Sequence, residues 1–306
     1  MAKQAMNRFR RQALLAMAAA MVFAAPGAEA APRAWMLPSD TMFSGGGDDW
    51  MTVDAAISTD LYFFDHPAQP WEPVAYAPDG STFAVENRAS GKLRSTFDVH
   101  MTKPGTYKIA VFTSQIMGSY MLSGERKMLP RGTTEATLAT AVPQGATEVW
   151  TAPNNLRLET FATAGQPTTG VFAPTGKGLE MVPVTHPNDL AVGEGATFQF
   201  LLDGKPAAGL PVVAIPGGIR YRSGLKEIDA ITDAQGKVTL TWPEPGMYWV
   251  SVTSAPPRPP EGAGPPPAAG GSGGPGAGGP GGGEGPRAMT PPQRRDTYAM
   301  TLEVVG

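Results

Sequence analysis

Three histidines, His66, His100 and His186, supply every imidazole in the chain, and cysteine is absent. With thiolates gone, imidazole and carboxylate form the donor set available to a transition metal. Asp98 stands two residues before His100 in "STFDVHMT". In a strand that spacing puts both side chains on one face, about 7 Å apart. Such a pair can share a divalent ion, or the carboxylate can orient the imidazole. The competing reading is a solvated polar face on a sheet. His66 follows Asp65 in "FFDHPAQPW", and His186 lies in "THPNDL". Both precede proline, which favours extended or turn backbone. Asp65 and His66 alternate faces in regular strand, and a structural hydrogen-bonding role is the ordinary alternative for both histidines. If the three imidazoles meet beside Asp65 or Asp98, the site suits a divalent transition metal: nickel, cobalt, zinc or copper.

Other chemistries lack their residues. There is no Gly-x-Ser-x-Gly, no His-Glu-x-x-His and no phosphate loop. "SGGGDDW" at 44–50 is glycine-rich but opens no helix, so it reads as a loop. Carboxylates are plentiful, yet no pair is singled out by spacing for glycoside chemistry. The eleven methionines after Ala31 form no Met-x-x-Met cluster and suit core packing. The expectation is a protein that is not an enzyme.

The elements that must position these residues are strands. "DWMTVDAAIS", "STFDVHMT", "GTYKIAVFT" and "RLETFATAG" are short, rich in β-branched and aromatic residues, and separated by Gly, Pro, Asn and Asp. In "TFDVHMT" Phe97, Val99 and Met101 share one face, opposite Asp98 and His100. "TEATLATAVP" allows a turn or two of helix, stopped by Pro143. A composition break falls over 172–194, after which "ATFQFLLDGKPAAGLPVVAI", "GMYWVSVTS" and "TYAMTLEVV" resume the strand pattern. Asp203-Gly204 marks one turn, and Asp233 with Gly236 marks a hairpin turn. These patterns predict an all-β chain with two consecutive β-sandwich domains, over 31–176 and 177–306.

Two segments stand apart. Residues 1–30 carry Lys3, Arg8, Arg10 and Arg11, then an apolar run and Ala28-Glu29-Ala30. That is a signal peptide cut after Ala30, and it predicts export to the periplasm. No later segment is apolar enough to cross a membrane. Residues 255–288 are almost entirely Pro, Gly, Ala and polar residues, which predicts a disordered loop inside the second domain. The strand-like "RRDTYAMTLEVV" after it would close that domain. The formal net charge is −3. Removing the four basic residues and Glu29 takes it to −6, which argues against nucleic acid as a partner.

"RAWMLPSDTMFSGGGDDWMTVDAAISTDLYFFDHP", "STFDVHMTKPGTYKIAV", "GLEMVPVTHPNDLAVGE" and "ITDAQGKVTLTWPEPGMYWV" together resemble the bacterial periplasmic domain-of-unknown-function 4198 family. The resemblance runs from Arg33 to about Val305, apart from the Gly/Pro tract. It implies immunoglobulin-like or transthyretin-like sandwiches and a NikM-like part in nickel or cobalt uptake. His66, His100 and His186 match family histidines at their motif positions. Similar members carry a further histidine two residues before the Ala-Trp pair, where this chain has Pro32, which offers no side-chain ligand. Two readings follow. One is a periplasmic binding or accessory protein with a transition-metal site. The other is a metal-free module that docks on an envelope transporter or an outer-membrane receptor.

Overall fold

The computed structural model describes residues 32–254 and 291–306. The expected signal segment, its cut after Ala30 and the Gly/Pro tract lie outside the described residues. In chain order the strands begin with β1 (Arg33–Pro38), β2 (Met42–Phe43), β3 (Asp49–Ser58), β4 (Val74–Tyr76) and β5 (Thr82–Phe83). They continue with β6 (Glu86–Ser90), β7 (Ser95–Met101), β8 (Gly105–Leu122) and β9 (Glu125–Met128). A short helix, α1 (Glu135–Ala141), precedes β10 (Thr147–Ala164). Next come β11 (Leu179–Pro183), β12 (Gly195–Leu202), β13 (Lys205–Pro206) and β14 (Pro211–Pro216). The last are β15 (Ile228–Ile231), β16 (Lys237–Thr241), β17 (Gly246–Thr253) and β18 (Arg295–Val304).

A ten-stranded sheet forms the middle of the molecule, in the order β15-β14-β17-β18-β10-β8-β4-β5. β2 pairs with the end of β10 and β9 lies beside β8. The sheet β1-β3-β7-β6 covers one face. Its Met51, Val53, Phe97 and Val99 pack with Leu158, Ala162 and Ala299 of the central sheet. The sheet of β11, β12, β13 and β16 covers the other face. Its Phe198, Phe200, Val238 and Leu240 pack with Phe161 and Met300. Adjacent residues such as Ala299 and Met300 point to opposite faces of a strand, so the two cores lie on opposite sides of β10 and β18. The protein is all-β, with sandwich packing on both faces of its central sheet.

This layering explains the burial patterns. β7 and β17 alternate, as strands with one covered face do: Phe97, Val99 and Met101 are buried, while Asp98 and His100 are not. Gly105–Val111 of β8 and Leu158–Ala164 of β10 are buried without alternation, because both faces are covered. β18 pairs antiparallel with β17 and parallel with β10. The Gly/Pro tract therefore joins two adjacent antiparallel strands.

The local signals behave as their chemistry dictates. Asp203 and Gly204 both have positive φ, 51° and 76°, and close the tight turn between β12 and β13. Thr134 caps α1: Thr137 N donates to its Oγ1, and Thr137 Oγ1 accepts from Thr134 N. The turn at Asp233–Gly236 also forms, with Gly236 N donating to Asp233 O. Its flanking strands do not pair as a hairpin, however. β15 pairs with β14 and β16 with β12, so the turn is a corner between two sheets. Turn residues reverse the chain; the apolar faces then choose the sheet. Among the described residues no helix is long and apolar enough to cross a membrane.

Candidate functional surfaces: a projecting arm and the cleft at its root

The three histidines sit in separate hydrogen-bond networks. His66 Nδ1 lies 2.5 Å from Asp65 Oδ1, and Asp65 also accepts from Thr59 N. His100 stacks on the exposed indole of Trp50, with ring centroids 4.1 Å apart. Its Nε2 lies 2.8 Å from Asp48 Oδ1, not against Asp98. Asp98 is occupied elsewhere: Thr52 Oγ1 donates to it at 2.7 Å and Asn87 Nδ2 at 2.8 Å. Those two bonds hold its pKa below the ordinary range.

His186 is bolted into the fold. Asn188 N donates to its Nδ1 at 3.1 Å, so Nε2 carries the proton. That proton faces Thr168 O at 3.2 Å and Thr106 Oγ1 at 3.0 Å. Asn188 in turn donates from Nδ2 to Phe161 O and accepts from Thr163 Oγ1. Burial lowers the imidazole pKa against the opposing pull of the Thr168 carbonyl and Asp189. Both ring nitrogens are spent on structure. Among the described residues no group of three or more His, Cys, Asp or Glu side chains is placed to hold a metal ion. Pro32 is exposed just before β1. "SGGGDDW" is a tied turn, with Gly45 N donating to Asp49 Oδ2 at 2.9 Å.

The unusual surface lies elsewhere. β8 and β10 pair along nearly their whole length, yet no residue from Phe112 to Asn155 belongs to either core or to the smaller cluster of Trp35, Ala56, Leu61 and Ile215. Beyond Phe112 the ladder is an arm, joined by β9 and α1. The arm has a small interior of its own. Tyr120 and Leu129 are buried, and the Arg126 guanidinium lies 3.8 Å from the Trp150 ring centroid. Gly118 lets the strands close, since a Cβ there would come within 2.1 Å of Trp150 O. The outside of the arm carries exposed apolar side chains among polar ones: Met128 is 66 % exposed, Phe112 43 % and Met117 40 %.

At the arm's root, a cavity of about 480 Å³ opens between β8, β10, the start of β18 and the segment entering β11. Arg157 crosses its floor. Its guanidinium lies 4.4 Å from the Phe112 ring centroid, and its NH2 donates to Lys177 O at 3.0 Å. Below it are buried Glu159 and Glu180, each 3.4 Å from the guanidinium. Tyr298 OH donates to Glu159 at 2.7 Å, and burial with that carboxylate beside it pushes the phenol pKa well up. Burial would also raise the Glu180 carboxyl. Bonds from Thr175 Oγ1, Thr175 N and Gly176 N, with Arg157 nearby, outweigh it and hold the pKa below the usual range. Lys108 completes the network, 3.8 Å from Glu159 and 4.6 Å from the Tyr76 ring centroid. At the rim, Arg294 joins Asp203 at 2.8 Å to buried Asp296 at 2.7 Å, and both bonds raise its pKa.

Sequence reasoning passed over this network. Arg157 and Glu159 alternate with Leu156 and Leu158 in "LRLE", which reads as a solvent face. Only the second layer of strands, laid on that face, buries them.

The cores and strand order define the class: an all-β protein built of sandwiched sheets. Within that class, the family model of the domain of unknown function DUF4198 matches residues 30–255, and the chain belongs to that family. No curated protein matches the chain. Among solved structures, the D0–D1 domain of intimin matches at 15 % identity over 72 % of this chain and 91 % of that one, with a TM-score of 0.19. A DUF4785 family protein from Legionella pneumophila matches at 7 % identity over 71 % of this chain and 50 % of that one, with a TM-score of 0.22.

Proposed function

We propose that the protein is a non-enzymatic accessory protein of the periplasm that docks on an envelope partner, a transporter or outer-membrane receptor of a nickel or cobalt uptake system. The arm carries this reading. A ladder that leaves both cores and exposes Met117 and Met128 on one face offers an interaction surface by its chemistry. Methionine adapts its shape to a partner surface better than branched residues do. The metal is then handled by the partner. A second reading gives the chain a metal contact of its own at His66, where Asp65 engages Nδ1 and leaves Nε2 to ligate.

A photo-crosslinker at Met128 in cells tests the first reading. The expected result is one membrane-protein adduct, lost when Met117 is changed to Asp and absent when the crosslinker is placed at exposed Asp229 on β15. Calorimetry of the exported chain with nickel and cobalt separates the two readings. Micromolar binding that disappears in His66→Ala, with no Met128 adduct, would replace the first with the second.

A further inference from the structure

Beyond docking, we infer that the cleft at the root of the arm is a binding site for a small organic carboxylate with a flat apolar body, such as an arylcarboxylate. Its volume of about 480 Å³ is in the range of small-ligand sites. The decisive feature is which charges are already committed. The acids all are: Glu180 accepts three short bonds from Thr175 and Gly176, Glu159 accepts from Tyr298, and Asp203 and Asp296 share Arg294. Of the cations, Arg294 is held by those two aspartates and Arg157 is the counter-charge of Glu159 and Glu180, but Arg157 keeps N–H groups to spare. Arg157 has five N–H groups, and its partners are one carbonyl at 3.0 Å and two carboxylate oxygens at 3.4 Å. On the rim, the Lys177 ammonium makes no ion pair among the described residues, though its backbone carbonyl helps hold Arg157.

A ligand entering the cleft therefore meets spare N–H donors and no spare carboxylate. A planar carboxylate matches the fork of an arginine better than a point anion does. The rest of the ligand lies against the exposed Phe112 ring, already stacked on the guanidinium, and against Leu179. A neutral ligand of the same shape would leave Lys177 without a counter-charge and the spare Arg157 N–H groups without an anionic acceptor.

The test uses the full exported chain, labelled with nitrogen-15, titrated with phenylacetate and with phenylacetamide, its neutral counterpart of similar shape. Phenylacetate is expected to shift the amide signals of Gly178 and Leu179, and to bind about tenfold tighter than the amide, the size of one charge-assisted contact. Lys177→Gln and Phe112→Ala alter exposed side chains, so both variants should fold. Each should weaken phenylacetate several-fold, and only Phe112→Ala should also weaken the amide. Equal affinity for acid and amide would overturn the inference. So would shifts confined to residues outside the cleft, or no binding of phenylacetate to the wild-type protein.

Discussion

The β8–β10 ladder is one continuous pairing with two different halves. From Gly105 to Val111 and from Leu158 to Ala164 every residue is buried, and the strands carry Lys108, Glu159 and three threonines into the interior. From Phe112 outward the same strands keep their hydrogen bonds but lose the sheets on either face. Backbone pairing alone is worth little net stability, because water satisfies the same groups in the unfolded chain. The root half is thus held by layers, and the arm half by its own small cluster of Tyr120, Leu129, Trp150 and Arg126. The root can tolerate buried charge because opposite charges and hydrogen-bond donors lie beside each carboxylate. The arm can expose methionines because little else depends on their packing.

The sharpest way to test this division is to break a charge at the root. Arg157→Ala leaves Glu159 and Glu180 buried without their shared cation. Removing one member of a buried charged network costs about 3–5 kcal/mol. Urea unfolding should show that loss as a lower midpoint for the whole protein. A loss near zero would mean that the network is solvated, and that the root is not a second-layer interior.

A smaller effect is expected in the arm. Gly118→Val places a Cβ against the Trp150 carbonyl and must push the two strands apart. Overpacking of this kind costs about 1–3 kcal/mol. Here the cost should be confined to the arm. Hydrogen exchange should quicken at Tyr120 and Met121 of β8, which pair with β9, while the amides of β18 keep their protection. If β18 loses protection as well, arm and root form one cooperative unit and the comparison fails.

The sequence carried the strand content, the alternation in β7, the short helix α1 and the Asp203-Gly204 turn, since each is a local pattern. The family, too, was legible in its motifs. The layering was not. "LRLE" in β10 has the spacing of a solvent face, and only strands from the other end of the chain cover it. Tyr298, which bonds Glu159, lies 139 residues away. The histidines show the converse. Their types and neighbours suggested a shared site, but spacing along a strand says nothing of whether three strands converge. Asp98 and His100 do share a face, as the period of two requires. Each then takes a different partner, because Thr52, Asn87 and Asp48 reach them across the sheet and from the neighbouring loop.

His186 provides the smallest of the three expected effects, and it acts on the root. The folded protein holds this imidazole neutral, with Nδ1 accepting from Asn188 N and Nε2–H directed at Thr168 O. Its pKa is lowered by burial, so the unfolded chain takes up the proton first as the pH falls. Its contribution is intact above about pH 6.5, the ordinary value for histidine, and is lost as the pH drops from there through the folded-state pKa. Below that second value both states are charged and the loss levels off. The urea midpoint should therefore decline on acidification below about pH 6.5 in the wild-type protein. In His186→Gln that part of the decline should be absent, while the midpoint at pH 8 falls modestly for want of one of the two ring contacts. The same variant should leave arm exchange at Tyr120 and Met121 unchanged, because the latch ties the loop at 184–190 to the buried threonines Thr106 and Thr163 and touches nothing beyond Phe112. A pH-dependent loss of protection in the arm would show that the latch stabilises the ladder as a whole.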